Sequence, residues 1–172
     1  MGPKEKYKLA IGCVPDNSLM FLDTLLIQKL YNPNQEFYPA TKFRRELNQS
    51  DQLQKIISKI HTYLNEQSIT KTDSLLHFIL NIEEFNYLKN LLENSHFLLL
   101  PIRFYITDES QLTNCSYFFQ LYDLNNGNLV MEKQDFVRIR RDQFKYNYKI
   151  AKQFVSEMAV HLMRNKYDKL FK

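Results

Sequence analysis

Glycine is scarce in this chain, and its scarcity argues against several function classes. Only Gly2, Gly12 and Gly127 occur among 172 residues. A Walker phosphate loop and a Rossmann dinucleotide-binding turn each need glycines close together, because the backbone N–H groups must approach the phosphates. A GxSxG nucleophile elbow is also missing. The sequence therefore argues against nucleotide-binding and hydrolase chemistry.

Cysteine and histidine are also few, and neither shows the spacing of a metal site. Cys13 and Cys115 lie far apart with no CxxC motif, so they predict neither a zinc site nor a disulfide framework and favour a reducing compartment. No pair at i, i+4 and no carboxylate at ligand spacing occurs among the four histidines: His61, His77, His96 and His161. We therefore expect no cofactor, no metal and no enzymatic activity.

Long apolar runs are missing as well. The run Phe97–Leu100 meets Pro101, far short of the roughly 20 apolar residues that cross a bilayer. The first residues have charge but no apolar core of signal-peptide length. With 44% apolar residues, the chain has enough material for a packed core. These features predict a compact, soluble, intracellular α+β protein that does not bind a membrane.

The first half has the element order of a winged helix-turn-helix. An alternating strand over 7–14 precedes a helix from Asn17 or Ser18 to Leu30. A short helix over 40–47 and a longer one over 50–64 follow, and then an extended pair over 68–80 folds about a polar turn. Helix, short helix, longer helix and hairpin together predict a winged-helix-like domain over residues 1–95.

The second half predicts a β-hairpin followed by a long basic helix. A helix over 83–93 and a strand over 98–106 lead to a hairpin at 117–132, where Asn126-Gly127 is a strong turn signal. A last helix is expected over 143–166. We expect residues 96–172 to pack on the first half, either as this hairpin and helix or as a second, degenerate winged helix.

The core of the winged helix is predicted from the apolar positions of the three-helix pattern and the wing. These positions are Leu25, Leu26, Phe43, Leu53, Ile56, Ile57, Ile60, Leu64 and Phe78.

Positive charge is concentrated at the end of the chain. Residues 138–172 hold 10 Lys and Arg against 3 Asp and Glu, whereas residues 1–137 hold 13 against 16. Four cations share one face of the last helix, and two more extend that face: Arg141, Lys145, Lys149, Lys152, Arg138 and Arg140. Aromatic residues alternate with these cations, and such a surface can bind single-stranded nucleic acid through charge and base stacking. The alternative is that these cations are only the solvated face of an amphipathic helix and bind no partner.

The winged-helix half offers a weaker basic surface. Lys55 and Lys59 occupy exposed positions of the third helix together with Asp51, an uneven match for duplex DNA. Three cations of the short helix are candidates for gripping a phosphate: Lys42, Arg44 and Arg45. The pattern favours protein subunits as partners, with single-stranded nucleic acid as a secondary partner and no small-molecule substrate.

Residues 18–95 resemble the C-terminal winged-helix region of the OB-fold subunit of CST, the telomeric single-strand-binding complex related to replication protein A. The stretch Leu53 to Ile69 carries the resemblance to the third helix, and Leu75 to Leu80 carries the resemblance to the wing. The resemblance implies a non-enzymatic, nuclear, DNA-binding role in telomere maintenance as a subunit of a complex. The alternatives are a protein–protein adaptor unrelated to telomeres and an accessory subunit of a DNA-modifying or replication complex.

Overall fold

A computed structural model of the chain describes residues 7–13, 20, 23, 36–66, 76–109 and 112–140. This part of the chain is a mixed α+β fold with one five-stranded sheet and four helices. The strands are β1 (Lys8–Ile11), β2 (Glu36–Tyr38), β3 (Phe97–Glu109), β4 (Leu112–Asp123) and β5 (Leu129–Arg140). The helices are α1 (Ala40–Gln49), α2 (Asp51–Glu66), α3 (Leu76–Ile79) and α4 (Ile82–Leu91).

The sheet has the strand order β2-β1-β3-β4-β5. β1 runs parallel to both neighbours, with Leu9 opposite Phe37 on one side and Phe97 on the other. β3, β4 and β5 form an antiparallel meander. Parallel strands need a long crossover connection, and the four helices lie in the connection from β2 to β3. Strands from both sides of residue 95 therefore share one sheet.

Gly12 allows the chain to leave β1 close to β3. Its N–H donates to the Leu99 carbonyl at 2.8 Å. A Cβ built on Gly12 would lie 2.9 Å from Leu100 Cδ1, closer than real Cβ atoms approach. The predicted N-terminal strand is confirmed, and glycine at its end permits this contact with the central strand.

Helices α1 and α2 meet at one serine that ends the first and begins the second. Ser50 N–H donates to the Glu46 carbonyl at the end of α1. Its Oγ accepts from Leu53 N–H at 3.1 Å, which caps α2. Asp51 then adds a negative charge to the first turn. Both helices are confirmed, and these predicted core residues are buried: Phe43, Leu53, Ile56, Ile57, Ile60 and Leu64.

The expected second wing strand is wrong, because Leu76–Ile79 forms α3. Leu76, Ile79 and Leu80 are buried at helical spacing, whereas Phe78 is 68% exposed. Phe78 was expected in the core as an apolar position of the pattern, but the helical phase of α3 leaves its side chain exposed. The remainder of the predicted pair, residues 68–75, lies outside the described residues.

Helix α4 confirms the helix predicted over 83–93 and begins with a capping motif. The Asn81 side chain accepts from Glu84 N–H at 2.8 Å, and Glu84 accepts in turn from the Asn81 amide. Glu83 and Glu84 suit the positive end of the helix dipole. Past its end, Glu93 and Asn94 both have φ near +55°, so the chain turns sharply towards β3.

The hairpin predicted from Asn126-Gly127 joins β4 to β5. Gly127 has φ +72°, and its carbonyl accepts from Leu76 N–H at 2.9 Å. A Cβ there would lie 2.9 Å from His77 Cδ2. Glycine is therefore required both by the backbone conformation and by the close contact with α3.

The described helices pack on one face of the sheet. The core cluster takes Ala10 from β1 and Leu98, Leu100 and Ile102 from β3. The opposite face is buried as well, through Leu9, Ile11, Leu99, Phe119 and Leu121. Apart from Met20 and Asp23, the predicted first helix with Leu25 and Leu26 lies outside the described residues, as does the predicted last helix.

A polar chain lies within the buried helical face of the sheet. Gln120 is fully buried, accepts from the Tyr122 hydroxyl and donates to Glu132 at 3.2 Å. Burial, and next the Glu132 charge, raise the pKa of Tyr122 well above its ordinary value. The Tyr122 phenol therefore stays a hydrogen-bond donor. Both the oxygen and the nitrogen of the buried Gln120 amide then have hydrogen-bond partners.

Candidate interaction surface

The outer side of α2 forms a shallow groove of about 720 Å³. The buried positions of this helix repeat at helical spacing, so the intervening residues form one polar face. Seven of them line the groove: Asp51, Gln54, Lys55, Ser58, Lys59, Thr62 and Tyr63. We call this set the α2 outer face. It contains both of the exposed cations that the sequence predicts on the third helix.

Charge on the α2 outer face is mixed. Lys59 Nζ donates to Glu84 Oε1 at 2.8 Å and Oε2 at 3.2 Å, so α4 supplies a carboxylate to one cation. Lys55 is exposed and has no ion pair among the described residues, and Asp51 carries the opposite charge at the beginning of the helix. The surface therefore presents charges of both signs among hydroxyl and amide groups.

Lys42 is tied to the end of α4. Lys42 and Lys8 donate to the two oxygens of Glu93, Lys8 at 2.7 Å. The hydrogen bonds from Lys42 and then Lys8 lower the pKa of Glu93 to about 2. Lys42 also lies 5.0 Å from the centre of the Tyr38 ring. This cation thus joins α1, β1 and α4, and is only partly exposed to a partner.

Arg44 is buried, contrary to its expected role as an exposed phosphate contact. Its Nε donates to Asp23 Oδ2, and its Nη2 lies 3.3 Å from Asp23 Oδ1. Arg44 is 5% exposed and Asp23 is 1% exposed. The position four residues after buried Ala40 was the available signal that Arg44 faces inward. Its neighbour Arg45 is exposed.

The cations near the end of the chain fall into two groups. Arg138 and Arg140 belong to β5, opposite Asn114 and Leu112 of β4. They were expected to extend the basic face of a helix, and this is wrong because they continue a strand. The other four lie outside the described residues: Arg141, Lys145, Lys149 and Lys152. The structure does not unite the predicted cations in one described surface.

Cys13 and His61 lack the environment of reactive groups. Burial raises the pKa of the Cys13 thiol to about 12, against a smaller opposing effect of Arg44. Burial lowers the pKa of His61, against a hydrogen bond to the Pro101 backbone. The thiol therefore stays protonated and the imidazole stays neutral. The described ranges contain no group of three or more His, Cys, Asp or Glu placed to hold a metal.

Comparison with protein-family models and with curated proteins finds no match. Solved structures that are similar to this chain include a lipoprotein from Neisseria meningitidis, with 12% identity, a TM-score of 0.47 and coverage of 94% of this chain and 100% of that one. A hypothetical protein from Chlamydia trachomatis has 10% identity, a TM-score of 0.46 and coverage of 96% of each chain. A minor lipoprotein from Acinetobacter baumannii has 11% identity, a TM-score of 0.40 and coverage of 94% and 91%.

These comparisons correct two expectations. All three similar structures come from bacteria and two are lipoproteins, which conflicts with a nuclear location and a telomeric role. The similarity carries no argument about what this chain binds. No helix within the described ranges is long and apolar enough to cross a membrane.

Proposed function

We propose that this protein is a non-enzymatic interaction domain that binds a protein partner through the α2 outer face. The observation that carries the proposal is the groove of about 720 Å³ along one side of α2. The other side of α2 is anchored in the core by Leu53, Ile56, Ile60 and Leu64. A partner would thus meet a helix whose backbone is already ordered and loses little further freedom on binding.

The charge pattern supports a protein partner over a nucleic acid. Binding to phosphates depends on several cations whose counterions are released. On the α2 outer face Glu84 neutralises Lys59 and Asp51 opposes Lys55. Mixed charges among hydroxyl and amide groups suit the polar rim of a protein interface. Tyr63 adds the type of side chain that is enriched at such interfaces.

Helices α1 and α2 are the part of the predicted winged helix on which the proposal depends. These helices follow one another across Ser50 in the order of a helix-turn-helix. In a DNA-binding helix-turn-helix the second helix of the pair contacts the DNA. Here the second helix, α2, would contact a protein. The domain would serve as an adaptor within a larger complex.

Site-specific photo-crosslinking tests this proposal. A photoreactive amino acid at Ser58 should give one discrete crosslinked product in cells that express the full chain. The same amino acid at Asn86, an exposed position of α4, is the matched control and should not give that product. Lys55→Glu should weaken the Ser58 product without changing the circular dichroism spectrum. Equal products from positions 58 and 86 would contradict the proposal.

A measurement of oligonucleotide binding is the second test of the proposed function. We expect Lys55→Ala to leave the salt dependence of any oligonucleotide binding unchanged. If the α2 outer face held a phosphate at Lys55, this substitution would reduce the slope of log affinity against log salt by roughly one. Such a reduction would show that nucleic acid is the ligand of this face and overturn the proposal.

A further inference from the structure

A second groove lies between α1 and the end of α4, away from the α2 outer face. Its volume is about 460 Å³, within the range of small-molecule sites. Lys42 and Glu46 of α1, Asn90 and Leu91 of α4, and Tyr38 of β2 are among the residues that line it. Every one of these residues belongs to a helix or strand that contributes to the core.

The Tyr38 hydroxyl has no hydrogen-bond partner among the residues that the structure describes. Tyr38 is 1% exposed, so solvent does not readily satisfy its hydroxyl. Buried polar groups normally have a partner, and one without a partner is unfavourable. Burial, and then the charges of Glu46 and Glu93, raise the pKa of Tyr38 to about 12. The phenol is therefore neutral and holds a proton that it can donate.

The two ends of this groove carry opposite charge. At one end, Lys8 and Lys42 share the carboxylate of Glu93, so this cluster has a net charge of +1. At the other end, Glu46 has no ion pair among the described residues, although Lys42 lies one turn before it on α1. Side chains at this spacing are neighbours, about 5–6 Å apart at Cβ. The groove thus has a positive and a negative end within reach of one small molecule.

The remaining lining residues provide a hydrogen-bonding wall and an apolar one. The Tyr87 hydroxyl lies 2.7 Å from Ser50 Oγ, which fixes that tyrosine against α1. Asn90 carries an amide that can donate and accept, and Leu91 provides an apolar surface. An unpartnered phenol, opposite charges and an apolar wall form a built site rather than a random surface depression.

We propose that this groove binds a small zwitterion, a free amino acid or dipeptide, with its carboxylate at Tyr38 and Lys42 and its ammonium group at Glu46. The Tyr38 O–H donates to the carboxylate, and Lys42 provides charge beside it. Glu46 accepts from the ammonium group. The side chain of the ligand packs on Leu91. A ligand with only one of the two charges would leave one end of the groove unmatched.

Ligand-observed NMR of the full chain with a pool of common amino acids and dipeptides tests this inference. We expect saturation transfer to at least one of them at millimolar concentration, followed by calorimetric titration of the strongest. Its N-acetyl and carboxamide derivatives, which each lack one charge, should bind about tenfold more weakly or worse. Absence of saturation transfer, or equal binding of the three compounds, would overturn the inference.

Two variants locate the site. Tyr38→Phe removes the unpartnered hydroxyl and should reduce affinity for the zwitterion about tenfold, with thermal unfolding recorded as the folding control. Glu46→Gln should weaken binding of the zwitterion but leave the weak binding of its N-acetyl derivative unchanged. Tyr63→Phe, on the α2 outer face, is the matched control and should bind like the parent. Unchanged affinity in Tyr38→Phe would refute the assignment of this groove.

Discussion

Replacing Arg44 by Met should destabilise the protein strongly, because it removes the guanidinium from the buried Asp23 carboxylate. Arg44 is 5% exposed and Asp23 is 1% exposed. At the 3.3 Å between Nη2 and Oδ1, two unit charges attract by about 5 kcal/mol at an effective dielectric constant of about 20. Removal of one member of a buried pair typically costs about 3–5 kcal/mol. We therefore expect Arg44→Met to lower the free energy of unfolding by about 3–5 kcal/mol.

The adjacent residue provides a matched control for this substitution. Arg45 belongs to the same helix but is exposed, so Arg45→Met should change the free energy of unfolding by less than about 0.5 kcal/mol. Adding Asp23→Asn to Arg44→Met removes the buried negative charge that has lost the guanidinium. The double variant should recover more than about 1 kcal/mol of the loss.

Urea denaturation followed by circular dichroism is the assay. The midpoint reports stability, and an unchanged slope shows that the same surface is exposed on unfolding. Equal midpoints for Arg44→Met and Arg45→Met would refute the reasoning, because burial would then make no difference. A double variant no more stable than Arg44→Met would show that the loss does not arise from the charge of the Asp23 carboxylate.

Two further predictions concern the core and the pH dependence of stability. Ile57→Ala should lower the free energy of unfolding by about 2–5 kcal/mol, whereas Phe78→Ala should change it by about 0.5 kcal/mol or less, as urea midpoints will show. Equal effects would contradict the observed helix phases. The pKa of Glu93 falls from 4.5 to about 2 on folding. Its ion pairs with Lys8 and Lys42 therefore stabilise the fold above pH 4.5 and are lost as pH falls towards 2. The stability difference between the parent and Glu93→Gln should shrink over that pH range in thermal unfolding, and a constant difference would argue against these ion pairs.

Local periodicity was a good guide where the element is long or has a strong turn signal. The buried positions of α2 recur at helical spacing over the whole helix, and Ser50 marks its beginning. The hairpin at Gly127 is specified by neighbouring residues, because Asn-Gly readily adopts the positive φ that such a turn needs. In both cases the information lies within a few residues of the feature.

Short apolar runs did not predict the type of secondary structure well. The stretch Leu75 to Leu80 is compatible with a strand or a helix, since a short run does not distinguish the two periods. The contact of Leu76 N–H with the Gly127 carbonyl, between residues far apart in the chain, accompanies the helical form. Phe78 was misplaced for this reason.

The sequence pattern was least informative about which charged side chains are paired, buried or exposed. Lys42, Arg44 and Arg45 are close in sequence, yet one is bound to Glu93, one is buried with Asp23 and one is exposed. The spacing from Ala40 indicates that Arg44 faces inward, but the local pattern identifies neither its carboxylate partner nor that of Lys42. Likewise, Tyr38 belongs to a three-residue strand whose sequence does not indicate that its hydroxyl lacks a partner.

The sequence by itself determined the α+β class, the helices α1, α2 and α4, the Asn-Gly hairpin and most of the core positions between Phe43 and Leu64. Only the tertiary structure decided that β1 lies between β2 and β3, that Arg44 meets Asp23, and that α1 and α4 enclose a groove over Tyr38. The physical reason is the range of the interactions. Helix and turn formation depends on residues a few positions apart, whereas strand order, ion pairs and cavities depend on contacts between residues tens of positions apart, which leave no period in the sequence.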